Sequence, residues 1–139
     1  MIVTEPQAEL AEWVGEKIGV QFFPPYTIIA SQHKGKTLAA AVFNVWTKND
    51  IECSVAIDKF LPIELLKACR HYVEHQLGCS RITFRTRSGN QKAQKALKKL
   101  GAVLEGRQRG YFGDEDGLLF GLILKDTKHG FRTIRSRSS

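Results

Sequence analysis

From Pro6 to Ile18, the apolar residues Leu10, Trp13, Val14 and Ile18 recur at helical spacing, with glutamates on the other face. This predicts an amphipathic helix, weakened by Gly15 and stopped at Gly19. Phe22-Phe23-Pro24-Pro25-Tyr26 reads as a rigid apolar connector, because two prolines exclude helix. Thr27–Ser31 and Thr37–Thr47 read as strands, the second rich in the β-formers Val42, Phe43, Val45 and Trp46. A turn at His33-Lys34-Gly35-Lys36 separates them, with glycine where positive φ is needed. After a second turn at Lys48-Asn49-Asp50, Ile51, Cys53, Val55 and Ile57 alternate with Glu52, Ser54 and Ala56. The three strands form an antiparallel meander.

Pro62 fits the first turn of a second helix, where its missing N–H costs nothing. That helix runs to about Leu77 and ends at Gly78, with Leu66, Cys69, Tyr72, Val73 and Leu77 marking its buried face. Arg81–Thr86 alternates again, Ile82 and Phe84 against Arg81, Thr83 and Arg85. A third helix, Asn90–Leu100, stops at Gly101. A strand carrying Tyr111 follows, then a turn from Gly113 to Gly117 and a closing apolar strand to Leu124. The helix between Ile57 and Arg81 implies one parallel neighbour pair. The predicted fold class is α/β (α+β by stricter naming). It is a single domain over residues 1–125, with a mixed, mostly antiparallel sheet flanked by helices. A basic tail, 126–139, has little to bury and is expected to be mobile.

A chain of 139 residues, 42% apolar and 25% charged, has the composition of one soluble domain with its own core. No apolar run approaches a membrane span, and the N-terminus lacks the pattern of a signal peptide. Cys53, Cys69 and Cys79 are odd in number and form no C-x-x-C pair, which suits free thiols in a reducing cytoplasm. The net charge of +7 is concentrated in the second half, in Arg81, Arg85, Arg87, Lys92, Lys95, Lys98, Lys99, Arg107, Arg109 and the tail. Such a half suits an anionic partner, coenzyme A or nucleic acid, or is simply a solvated face.

The most informative stretch is Asn90 to Leu124. It reads N-x-x-A-x-x-A-L-x-x-L-G-A-x-x-E-G, then Arg107-Gln108-Arg109-Gly110-Tyr111. This pattern resembles the C-terminal half of a GCN5-related N-acetyltransferase (GNAT) domain. It is similar to the branch that includes small phage and prophage acetyltransferase-like proteins. The resemblance implies an acetyl-CoA-dependent N-acyltransferase acting on an unknown acceptor amine, in the cytoplasm (of the host, if phage-encoded). Two departures stand against it. The family's glycine-containing pyrophosphate loop is replaced by Asp58-Lys59-Phe60-Leu61-Pro62-Ile63, and its catalytic tyrosine position is Leu97. The alternative is a catalytically weakened GNAT-fold binding or structural module, virion- or nucleic-acid-associated.

The resemblance also assigns candidate residues. Glu52, on the strand expected beside the thioester, is the general-base candidate; its plainer reading is an exposed strand carboxylate. Ser54 on the same face would hydrogen-bond substrate or water. Tyr111 would serve as an acid, or simply pack. Val55, Ala56 and Ile57 would pair through backbone with the pantetheine arm. Lys59 would supply charge for the pyrophosphate, and Lys92 and Lys95 would face the adenosine phosphate or only solvent. Asn90 would contact the cofactor, cap its helix, or do both. His71 and His75 stand at i, i+4, but nothing completes a metal set, so no metal is expected. Gly113-Asp114-Glu115-Asp116-Gly117 reads as a hairpin turn whose acids could attract a cationic amine. Lys128 to Arg137, with Phe131, is the candidate nucleic-acid contact, salt-sensitive and sequence-blind. The family often pairs edge strands, which makes a homodimer one candidate assembly.

Overall fold

The structure is a computed structural model that describes residues 1–126. The tail predicted to bind nucleic acid lies almost wholly outside them. The elements in chain order are β1 (Ile2–Val3), α1 (Gln7–Ile18), β2 (Thr27–His33), β3 (Lys36–Asn44), β4 (Asp50–Ile57) and α2 (Ile63–His71). There follow β5 (Arg81–Arg87), α3 (Gln91–Leu100), β6 (Val103–Gln108) and β7 (Gly117–Ile123). The sheet has seven strands in the order β1-β2-β3-β4-β5-β7-β6. All neighbours are antiparallel except β4 and β5, which α2 connects as a parallel pair. The predicted mixed sheet and its single parallel pair are present.

Alternation along the central strands divides the core in two. Ala39, Ala41 and Phe43 of β3 pack with Ile51 and Cys53 of β4, Ile82 and Phe84 of β5, and the buried sides of α2 and α3. Ala40 and Val42 point the other way, onto Leu10, Ala11 and Val14 of α1. Thus α2 and α3 cover one face, while α1 covers the other face only over β2, β3 and β4. Glu52, Ser54, Arg85 and Arg87 fall on the α1 face by period. They are left to wall an open space that no helix fills.

The helix signals acted where the sequence placed them. Gly19 ends α1 at φ 72° and Gly101 ends α3 at φ 101°, both left-handed. Asn90 caps α3, its side chain accepting from the Ala93 N–H at 3.1 Å. Such a cap is worth about 1 kcal/mol. Lys34 and Gly35, at φ 51° and 77°, make the tight two-residue hairpin between β2 and β3.

Four expectations need correction. First, β3 ends at Asn44, so Val45 and Trp46 lie outside it, each 57% exposed. Pairing with β2 stops at Phe43 and with β4 at Asn44, so no neighbour remains to reward their β propensity. Val45 instead takes φ 53°. Second, α2 passes into a π-helical turn at Tyr72–Gln76, closed by the Leu77 N–H on the Tyr72 carbonyl at 2.9 Å. That shift in phase spoils a strict helical period. Leu65, ahead of that turn and not among the residues predicted to mark the buried face, is only 1% exposed. Third, Ala56 is buried beneath α1 while Ile57 is 41% exposed, because β5 no longer pairs with the end of β4 and only β3 lies beside it. Fourth, Tyr111 lies beyond the end of β6, in the turn leading to β7.

Candidate functional site

Pairing between β4 and β5 covers only Asp50–Cys53 against Arg81–Phe84. Beyond that point both strands continue, β4 still paired with β3 to Ile57 and β5 with β7 to Arg87. The sheet therefore splits into two halves that diverge from Cys53 and Phe84. Among the described residues, the backbone groups of residues 54–57 that would have met β5 have no strand partner. Thr86 stands in the gap. Its hydroxyl oxygen is buried and makes no hydrogen bond to another described residue, a costly condition for a polar group unless something else fills the cleft.

Two cavities meet this gap. On the α1 face, a space of about 680 Å³ is walled by the end of α1 and residues 19–23 on one side and by Tyr111, Phe112 and Asp114 on the other. Its floor includes Glu52, Ser54, Arg85 and Arg87. On the α2/α3 face, a smaller space of about 130 Å³ is lined almost wholly by apolar side chains. The two share Val55, Arg85, Thr86 and Ala93 as lining residues.

Arg85 organises the larger cavity. Its guanidinium donates to Gln108 Oε1 at 2.7 Å, to the Tyr111 hydroxyl at 3.1 Å and to Glu52 Oε1 at 3.2 Å. It also lies 4.3 Å from the centre of the Tyr111 ring, a cation–π contact. One side chain on β5 thus bridges the diverging strand β4 and the loop after β6. Arg87, two residues on, donates to the carbonyls of Ile18 (3.2 Å) and Gly19 (3.1 Å) at the C-terminus of α1. It also pairs with Asp114 (3.2 Å) and Glu115 (3.4 Å). It therefore holds both walls of the cavity in register. The sequence pattern gave neither arginine a role. The available signal was the arginines repeating every second residue on a strand whose other face is core.

The predicted site residues separate into two groups. Glu52, Ser54, Val55, Asn90 and Tyr111 all line the larger cavity. Glu52 keeps one carboxylate oxygen outside its ion pair with Arg85, and the Ser54 hydroxyl makes no hydrogen bond to another described residue. The Asn90 carbonyl is used by its cap, while its amide nitrogen has no partner among the described residues. Lys59, Lys92 and Lys95 are exposed and line neither cavity. Ala56 is core and Ile57 borders the smaller space. Asp58 pairs with Lys17 at 3.1 Å and approaches Lys36 at 3.9 Å. The Lys17 hydrogen bond holds its carboxyl below the usual range.

The acidic turn is likewise spent inside the fold. Asp116 accepts from the Gly110 N–H at 2.8 Å and from Arg107 at 2.7 Å, and Glu115 accepts from the Gly89 N–H at 2.6 Å. The His71 and His75 rings are 5.0 Å apart, but Glu74 pairs with Arg70 at 3.0 Å. Among the described residues no three His, Cys, Asp or Glu side chains converge as metal ligands would. Burial pushes the Cys53 thiol well up and the Cys69 thiol up to about 12, so neither is a ready nucleophile.

Solved structures share this architecture across almost the whole chain. The ribosomal-protein-S18-alanine N-acetyltransferase of Escherichia coli aligns with a TM-score of 0.68 and 18% identity, over 89% of this chain and 93% of that one. The yncA protein of Salmonella typhimurium, solved with its cofactor acetyl-CoA, aligns at 0.66 and 15% identity, over 92% and 95%. Mutant forms of the spermidine/spermine N-acetyltransferase SpeG from Vibrio cholerae align at 0.69 and 11% identity, over 91% and 96%. The chain has the GNAT fold. No protein-family model matches the sequence, and no curated protein matches it. The GNAT fold is thus carried here by topology and by the split sheet rather than by close sequence kinship. Among the described residues no helix is long and apolar enough to cross a membrane.

Proposed function

We propose that this protein is an acetyl-CoA-dependent N-acyltransferase, with the donor thioester held in the split between β4 and β5. The observation that carries this reading is the split itself. It joins a β4 edge that no described strand pairs on the β5 side, a buried Thr86 hydroxyl without a partner among the described residues, and a cavity on each side. Those features fit an extended amide-bearing arm such as pantetheine, which can pair with β4 as a missing strand would. When bound, acetyl-CoA supplies an acyl group on a good leaving group.

The chain's own residues would do the rest. Residues 54–57 and Thr86 hold the arm. The amide nitrogen of Asn90 and the charge of Lys59 contribute to binding, with Lys92 and Lys95 supplying a diffuse positive field. The acceptor amine enters from the α1 face, where Glu52 takes its proton directly or through a water bonded to Ser54. Arg85 fixes which way Glu52 points. Tyr111, tethered to Arg85 in the lining of the larger cavity, would serve as the acid that protonates the leaving thiolate. Proximity supplies much of the rate in such a transfer, so the loss of a tyrosine at Leu97 is tolerable. The acceptors named for the similar structures, a ribosomal protein and polyamines, differ in size and charge. They do not choose one for this chain.

The test is calorimetric titration with acetyl-CoA and coenzyme A. One-site micromolar binding that weakens on Asn90→Ala is expected. Absence of binding at millimolar ligand would overturn the reading and favour a GNAT-fold binding module. The glycine-free loop Asp58–Pro62 is the observation that keeps that second reading in view.

A further inference from the structure

The smaller cavity is larger than an acetyl group requires. Its volume of about 130 Å³ approaches the roughly 150 Å³ of an engineered apolar cavity that takes up benzene. A single methyl group would leave most of it empty, and empty apolar space forfeits dispersion contacts. Its wall is built from Phe43, Cys53, Leu65, Leu66, Cys69 and Leu97, all apolar in character. The polar side chains that border it are Arg70, Arg85 and Thr86. Arg70 directs its guanidinium to Glu74 and to the Leu124 carbonyl. Arg85 and Thr86 stand on the side shared with the larger cavity. The space is thus polar where it meets the split and apolar beyond it. Leu97 contributes to that character, since a tyrosine there would bring a hydroxyl to an apolar wall.

We propose that this cavity receives the hydrocarbon chain of an acyl group longer than acetyl, about four to six carbons in all, making the preferred donor a short- to medium-chain acyl thioester. The inference rests on the acyltransferase reading and names its donor class. The carbonyl carbon lies at the split beside Val55, and the chain runs away from the acceptor into the cavity. The reaction balances as for acetyl. The amine nitrogen forms the bond to the carbonyl carbon, the carbon–sulfur bond breaks, Glu52 or a water takes the amine proton, and the thiolate gains a proton from Tyr111 or from solvent. Free coenzyme A and the phosphopantetheine of a carrier protein present the same thioester, so both sources belong in the test.

The experiment is a calorimetric series with coenzyme A and its acetyl, butyryl, hexanoyl and decanoyl thioesters. Hexanoyl phosphopantetheinyl carrier protein forms a separate arm. Affinity is expected to rise about fourfold per methylene, the factor set by about 0.8 kcal/mol per buried CH₂. It is expected to stop rising by hexanoyl, where the cavity is full. Ala96→Leu, which extends a side chain from α3 into the cavity, is expected to lower the hexanoyl-to-acetyl affinity ratio at least tenfold. Equal affinities from coenzyme A to hexanoyl-CoA would overturn the acyl cavity and leave the acyltransferase reading intact. A gain continuing undiminished to decanoyl would also overturn it, since that behaviour belongs to an open surface. Binding of the hexanoyl carrier protein alone would support the cavity and replace coenzyme A as the carrier. No binding of any thioester would overturn both readings.

Discussion

Replacing Arg85 with methionine removes the guanidinium and keeps most of the stem. The side chain is 15% exposed and its partner Glu52 26%, so solvent screens this pair less than an ordinary surface bridge. The substitution forfeits a charge-assisted bond, worth about 1.5–3 kcal/mol, and two further hydrogen bonds, worth about 1 kcal/mol each. It also forfeits a cation–π contact worth about 0.5–2 kcal/mol. These are not additive, and water entering the large cavity will solvate some of the groups left behind. About 3 kcal/mol of lost stability is the working figure. With a urea slope of about 1.5–2 kcal/mol/M, that lowers the unfolding midpoint by about 1.5–2 M.

The sharper part of the prediction is a double-mutant cycle with Glu52→Gln. Alone, Glu52→Gln removes an ion pair but keeps a hydrogen-bond acceptor, and should cost about 1 kcal/mol. In the Arg85→Met protein the same change removes a carboxylate that has lost the one ion pair it makes among the described residues. It should then cost nothing or restore some stability. The coupling should reach about 1–2 kcal/mol, measured by urea unfolding of the four proteins. If Glu52→Gln costs the same in both backgrounds within about 0.5 kcal/mol, Arg85 does not hold Glu52 and its assigned role falls.

Three further outcomes follow from the same structure. Val45 holds a left-handed backbone while 57% exposed. Val45→Asn should therefore stabilise by about 1 kcal/mol, and a lower melting temperature would contradict the strain. Glu105 and Asp116 have carboxyls held below the ordinary range, by the Arg81 hydrogen bond and by the Gly110 N–H with Arg107 respectively. Their folded values lie below their unfolded ones, so their stabilisation is complete above the unfolded value of about 4. It is lost as pH falls through the folded values, and Asp116→Asn should flatten the acid fall in the urea midpoint. Cys53 and Cys69, pushed up by burial, should resist iodoacetamide at pH 7.5 until urea is added. Rapid alkylation of Cys69 in the folded protein, seen by intact mass, would show the cavity wall to be open.

The fold was legible because most of its elements carry their own punctuation. Gly19, Gly78 and Gly101 sit at positive φ where helices end, and alternation from Ile51 to Cys53 and from Arg81 to Phe84 marks paired, half-buried strands. Legibility failed where burial stopped following local period. Val45 and Trp46 have strand propensity without strand neighbours, and the π-helical turn changes phase inside one helix. The site was legible only in part. Glu52, Ser54 and Asn90, named through resemblance, line the larger cavity. Arg85 and Arg87 were missed, because a charged residue on a strand looks the same whether it meets solvent or a cavity. The place where β4 and β5 part is a property of pairing between distant segments, and no local pattern contains it.

The glycine-free loop shows the opposite case, in which a sequence signal promised more than its physics required. A glycine is needed for anion binding where the backbone must take positive φ or come very close to the ligand. No residue from Asp58 to Pro62 has positive φ, so the loop makes its turn without that freedom. The N–H groups of Lys59, Phe60 and Leu61 donate to nothing among the described residues, and those of Ile63 and Glu64 are first-turn donors of α2. Asp58, the residue that would repel a phosphate, is committed to Lys17 and Lys36. What remains at this end of the split is a set of uncommitted donors beside Lys59 and a helix N-terminus, an environment that favours negative charge. The absent glycines therefore argue about how closely a pyrophosphate approaches, and leave open whether an anion is attracted at all. A salt titration of coenzyme A affinity separates the two. A steep fall with ionic strength means the phosphates are bound here by charge, and a flat profile means the acyl and pantetheine contacts carry the binding.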